Sequence, residues 1–193
     1  MGRKPMTSEE RQKMRSRILG SAYLLLPVEG LAGLSMRAIA KEVGTSSMTL
    51  YLYFDDRNDI IQHLAKQGFD LLSKKLENID SSSDLAEMCQ QLALIYVEFS
   101  TTHKHLFELM FSSTISTNNS LQQAGAQGVL DIFNRTVGGA SAEGSAFWAT
   151  VHGSAILNGL NINTPEINNF ISQRVSQLEA AESQGELRIV PSS

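Results

Sequence analysis

The stretch Ser35-Met-Arg-Ala-Ile-Ala-Lys-Glu-Val-Gly44-Thr-Ser-Ser-Met-Thr-Leu-Tyr-Leu-Tyr-Phe54-Asp-Asp-Arg57 decides the fold. Met36, Ile39, Ala40 and Val43 stand at i, i+3, i+4 and i+7, the stripe of a helix packed on a core, with Ser35 as its N-cap and Gly44 as its end. A second helix starts at its own cap, Ser46. Read as about eight residues, it turns Leu50 and Phe54 inward and leaves Met48, Thr49, Leu52 and Tyr53 pointing away. Two short helices joined by a glycine turn make a helix-turn-helix. A helix of about eight residues is roughly 12 Å long, close to the width of the B-DNA major groove, so the outward face can meet base edges.

The chain has 193 residues, far more than a lone helix-turn-helix needs, which points to a second, larger domain with its own core. Its net charge of −4 argues against a nucleic-acid binder until the distribution is read. Residues 1–57 hold nine Lys and Arg against six Asp and Glu, whereas residues 58–193 hold seven against fourteen. The cationic end is therefore the end with the motif, and the acidic remainder would stay off a duplex. A single cysteine, Cys89, excludes an internal disulfide and lies on an apolar stripe, as a small buried hydrophobe would. The charged N-terminus and the lack of a membrane-length apolar run lead us to expect a cytoplasmic protein with no membrane partner.

Helical periodicity recurs along the rest of the chain with no alternating strand pattern, so the fold class expected is all-α. A first helix runs from about Ser8 to Leu26 with a basic outer face, closed by Pro27 and Gly30. After the motif, Asp56 caps a long helix whose apolar side is Ile60, Ile61, Leu64, Leu71, Leu72 and Leu76. Leu85, Met88, Leu92, Ile95, Tyr96 and Phe99 hold a 3.6 period in the next. A short apolar piece at His105 to Phe111, a polar loop at 112–120, and a helix from Leu121 to Val137 ended by Gly138-Gly139 follow. Two helices complete the chain, one from about Ala142 to Leu160 and one opened by Thr164-Pro165, before a tail after Ser183. We divide the chain at 55/56, into a three-helix head (1–55) and a larger helical domain (56–193).

Gly44 to Ile60, read as Gly-x-Ser-x-x-Thr-Leu-Tyr-x-x-Phe-x-x-basic-x-x-Ile and preceded by Ile39-Ala40-Lys41-Glu42-Val43, resembles the TetR family of bacterial transcriptional regulators. Phe147-Trp148-Ala149-Thr150-Val151-His152-Gly153 is similar to a Trp-x-x-x-His-Gly signature of one TetR-like subgroup. The resemblance implies a ligand-responsive regulator, a repressor, that binds a palindromic operator in double-stranded DNA as a homodimer through its head. The remaining helices would bind a small-molecule effector, and the last two would form the dimer interface. Carried over by position, it implies that Arg37, Thr45, Ser47, Met48, Thr49, Tyr51, Tyr53 and Arg57 lie at or near DNA. Arg37 suits a guanine edge or a phosphate, Thr49 a phosphate or a thymine methyl, and Met48 a thymine methyl. Tyr51 and Tyr53 offer hydroxyls to phosphates, and Arg57 adds charge to a helix N-terminus. Tyr53 and Arg57 depart from the family's usual His and Lys. Gly2-Arg3-Lys4-Pro5 reads equally as a minor-groove arm or as a disordered cationic leader.

In the larger domain, Leu92, Tyr96, Phe99, His103, Phe107, Phe111, Phe133, Trp148 and His152 are the candidates for lining a ligand pocket, although each also reads as core. Aromatics with few charges favour a mostly apolar effector. Trp148, His152 and Gly153 read mainly as packing, with Gly153, Ala155 and Gly159 as a small-residue surface for close helix approach. Four scattered His and one Cys give no metal-ligand spacing, and no cofactor motif, catalytic elbow or phosphate loop is present, so neither a metal site, a cofactor nor an enzyme is expected. A rival reading keeps the DNA-binding head and gives the larger domain a protein partner in place of a small molecule.

Overall fold

Polar side chains set where the helices begin. In a computed structural model, which describes residues 7–112, 120–138, 141–160 and 165–184, Thr7 accepts a hydrogen bond from the Glu10 backbone while the Glu10 carboxylate accepts from the Thr7 N–H at 2.8 Å. That capping box opens α1 (Ser8–Gly33). Ser35 caps α2 (Met36–Val43), Ser46 caps α3 (Ser47–Leu50), Asp56 caps α4 (Arg57–Leu76) and Asp84 caps α5 (Leu85–Thr102). Then come α6 (Lys104–Met110), α7 (Ser120–Thr136), α8 (Ser141–Gly159) and α9 (Pro165–Ser183), so the described chain is all-α. Thr164, residues 113–119 of the expected loop and residues 185–193 of the expected tail lie outside the described residues, as do residues 1–6 with the expected arm.

Four expectations need correction. Pro27 does not close α1; the helix runs past it and breaks at Gly30, whose φ of 65° is non-helical. Pro27 and Tyr23 are both on the exposed side, where the Tyr23 carbonyl is open to solvent in place of the donor that proline lacks. The second motif helix is four residues long, not about eight, and continues as a turn in which the Leu52 and Tyr53 N–H groups bond back three residues to Thr49 and Leu50. That tightening rotates Tyr53 inward, so it is 5% exposed where we expected it to point away. Leu71, expected on the apolar side of α4, is 38% exposed.

Two buried clusters organise the molecule. The first joins Ile18, Leu19, Ala22 and Leu26 of α1 to Ile39, Ala40 and Val43 of α2, to Leu50, Tyr53 and Phe54, and to Ile60, Ile61, Leu64 and Ala65 of α4, with Leu109 of α6. Burial of Leu50 and Phe54, worth about 1.5–3 kcal/mol each, holds a one-turn helix that its own backbone bonds could not sustain. The second cluster starts on the same α4, at Phe69, Leu72 and Leu76, and gathers α5 to α9. The boundary we drew at 55/56 thus falls at the cap of a helix that both cores share. Gly125 lets α7 cross α4 closely, since a Cβ there would lie 2.6 Å from the Phe69 ring. On the other side, the Tyr23 hydroxyl of α1 is 3.2 Å from His103 Nδ1, at the junction of α5 and α6.

Candidate nucleic-acid interface and aromatic core

Gly44 turns the chain between α2 and α3 with φ 76°, a left-handed conformation that a side chain would strain. Beyond the turn, Met48 is 74%, Leu52 62% and Tyr51 50% exposed, and Arg37 is exposed at the start of α2. Thr45, Ser47 and Thr49 are half-buried, and the Thr49 hydroxyl lies 3.0 Å from that of its cap, Ser46. These seven residues comprise one cation, three hydroxyl-bearing side chains besides Tyr51, and two bare apolar groups, all exposed or half-buried in the helix-turn-helix. Tyr53 is not among them: its ring packs in the head's core, with the Arg11 guanidinium 5.7 Å above it.

The cations of the head divide into two sets. Arg11 donates to the Leu52 carbonyl at 2.8 Å, Arg17 to the Val43 carbonyl at 2.7 Å, and Arg15 to the Tyr53 carbonyl. Arg57 donates through Nε to the Leu34 carbonyl and through Nη2 to the Leu31 carbonyl. Carbonyls at helix C-termini have no intrahelical donor, and here guanidinium groups satisfy them. The basic face of α1 that we expected to be an outward surface is therefore partly spent on internal clamps, and Arg57 lies against the α1–α2 connection. Lys13, Arg37 and Lys41 are exposed and, among the described residues, make no such bond. Sequence reading missed the clamps on Arg11, Arg15 and Arg17; the i, i+4 spacing of Arg11 and Arg15 beside two short helices was the available signal.

In the larger domain the structure brings eight of the nine pocket candidates into one group around Tyr96, with Leu92 buried in the same core. The Tyr96 ring meets Phe107, Phe133 and His152 edge-on, with centroids 5.6, 6.0 and 6.0 Å away. Its hydroxyl lies 2.8 Å from His152 Nδ1. Phe111 lies 4.4 Å and Trp148 6.3 Å from the His152 ring centroid, and His103 stacks tilted on Phe99 at 4.8 Å. Burial holds His152 below its ordinary value, so it stays neutral. Burial also pushes the Tyr96 phenol far up, an effect that the nearby Trp148 indole partly offsets. That indole N–H is nonetheless outside hydrogen-bond geometry and has no partner among the described residues, whereas most buried polar atoms have one.

Beside this group a groove of about 190 Å³ opens between α4 and α5, lined by Lys75, Asn78, Ile95, Glu98, Phe99, Thr102 and His103. Cys89 is fully buried, and desolvation, aided by Glu182 and Glu179, pushes its thiol up to about 12. Among the described residues no group of three or more His, Cys, Asp or Glu is placed to hold a metal ion. No helix among them is long and apolar enough to cross a membrane.

A family profile described as bacterial regulatory proteins, tetR family, matches residues 18–64, from the middle of α1 into α4. An HTH-type transcriptional regulator of Staphylococcus aureus (strain MRSA252) is 29% identical over 101 residues, 52% of this chain and 55% of that one. The chain thus spans about half the length of the curated relatives it matches. Among solved structures, a protein of unknown function from Rhodococcus sp. RHA1 is 26% identical with a TM-score of 0.69, covering 89% of this chain and 94% of that one. The multidrug binding protein EbrR, complexed with imidazole, shares the fold at 20% identity, with a TM-score of 0.64 and coverage of 85% and 93%. A matched N-terminal segment, regulator relatives over about half their length and an all-α likeness that extends over both cores agree: residues 18–64 form a head of the kind described for the tetR family of bacterial regulatory proteins.

Proposed function

We propose that this chain is a repressor of transcription, acting in the cytoplasm, that binds a palindromic DNA operator as a homodimer and is released by a small-molecule effector. The reading rests on one observation above others: exposed Arg37, Met48 and Tyr51 in a helix-turn-helix, backed by a core that fixes its one-turn helix in place. Arg37, Thr45, Ser47, Met48, Thr49 and Tyr51 would contact the duplex, with Arg37 on a base edge or phosphate and Met48 on thymine methyls. Tyr53 would act through packing, and Arg57 by holding the end of α1 while lending charge to the α4 N-terminus. Residues 1–55 would serve as the reading head and 56–193 as the effector and dimer domain. The exposed apolar residues Ile156 and Leu157 on α8, and Leu160 just past its end, support dimerisation through the last two helices, by the family's expectation.

The effector half of the proposal is supported by the Tyr96–His152 pair and the unpaired Trp148 N–H, polar groups set in an otherwise apolar ring cluster. A mostly apolar molecule with one hydrogen-bond acceptor fits them. The neighbour EbrR, a multidrug binding protein, lends the same support. Effector would favour an arrangement of α4 in which the two heads no longer match the half-site spacing, so it must bind that arrangement more tightly. Close ring-on-ring packing around Tyr96 favours a second reading, in which this domain engages a protein partner and needs no cavity.

The test is selection of duplexes from a random pool by the full chain, followed by anisotropy titrations at several salt concentrations. We expect recovery of a two-fold symmetric sequence, and a loss of affinity with a salt slope lower by about 1 in Arg37→Ala. Recovery of no preferred sequence would overturn the operator reading. A small molecule that binds this domain yet leaves operator affinity unchanged would overturn the switch.

A further inference from the structure

We infer that Arg15 is a positioning residue that ties the recognition helix to α4 through His63, so that sequence discrimination depends on a side chain that does not face DNA. The inference rests on the DNA-reading proposal above and adds to it a route through named atoms. One arm of the Arg15 guanidinium donates to the Tyr53 carbonyl, in the turn that ends the recognition segment. Its other arm lies 2.8 Å from His63 Nε2. The plane of the fork rests over the Phe54 ring, 4.1 Å from its centroid, and His63 meets the same ring edge-on at 5.4 Å.

A guanidinium has donors and no acceptor, so His63 Nε2 must be the accepting nitrogen and the imidazole proton sits on Nδ1. Nδ1 in turn faces the Asp59 carbonyl at 2.9 Å and the Asp59 carboxylate at 3.0 Å. Every link in this chain has one allowed direction. Arg11 and Arg17 also hold carbonyls, yet Arg15 is the one of the three whose fork reaches a third element, α4. Because α3 has a single turn, its attitude is set by what grips its C-terminal end. A shift of α4, which enters the second core at Phe69, would move His63 and with it the Tyr53 carbonyl.

The test uses the full chain, a duplex it selects from a random pool, a random-sequence duplex of equal length, and nitrogen NMR of the His63 ring. Arg15→Lys keeps the charge but has no planar fork; we expect it to lose about tenfold or more in affinity for the selected duplex and less than about twofold for the random one. His63→Gln keeps an acceptor for Arg15 and should stay within about threefold of wild type, whereas His63→Phe should match Arg15→Lys, and the double variant should be no worse than either. Equal losses on both duplexes would make Arg15 a phosphate-charge residue and overturn the inference. So would a wild-type His63 ring protonated on Nε2, or ring signals that Arg15→Lys leaves unmoved. If wild type selects no sequence, the DNA-reading proposal fails, while the ring signals still decide whether the Arg15–His63 clamp exists.

Discussion

Acidification should loosen the larger domain through His152. Burial holds this imidazole below its ordinary value of 6.5, with its Nδ1 2.8 Å from the Tyr96 hydroxyl. Below pH 6.5 the unfolded chain takes up a proton at this residue that the folded chain resists, so stability falls as pH falls through and below that value. Between pH 7.5 and 5.5 a residue that stayed wholly neutral in the fold would cost at most about 1.4 kcal/mol. His152 is half-buried, and solvent screening trims this to roughly 0.5–1 kcal/mol. Urea titrations followed by Trp148, the single tryptophan and 6.3 Å from the His152 ring, read this core directly. In His152→Gln the amide offers Tyr96 both a donor and an acceptor and does not titrate. The stability of wild type relative to the variant should therefore drop by roughly 0.5–1 kcal/mol from pH 7.5 to 5.5. A difference that stays constant with pH, or changes with the opposite sign, would refute the burial argument.

Two more outcomes follow from packing. Gly125→Ala would drive a methyl into the Phe69 ring, and we expect a loss of about 1–3 kcal/mol in urea denaturation with the all-α circular dichroism retained. Cys89, fully buried with its thiol pushed up to about 12, should resist an alkylating reagent at pH 7.5 in the native protein and react once urea unfolds it; fast native labelling would contradict the packing of α5.

The helices were legible because their signals are local. Ser35, Ser46 and Asp56 each bond to a backbone N–H three residues on, so the caps read in the sequence are the caps of the fold. The stripe Leu85, Met88, Leu92, Tyr96 and Phe99 is buried as its period implies. Tyr53 was misread because a wheel of 100° per residue was carried past Leu50, where the backbone tightens to three-residue bonds. For Trp148, sequence suggests packing; whether its indole N–H finds a partner is set by how the surrounding helices pack, which no residue of the motif encodes.

By itself, the sequence determined the all-α class, the helix-turn-helix and its cationic surroundings, and the aromatic stock of the larger domain. Each depends on spacing within a few turns of one helix. Tertiary structure decided what those groups do: that Arg11, Arg15, Arg17 and Arg57 hold carbonyls 23 to 41 residues away, that α4 belongs to two cores, and that Tyr96 finds His152 from 56 residues off. The physical reason lies in the backbone. Every residue carries the same carbonyl, so the sequence marks where an arginine is but not which helix end will come within its reach.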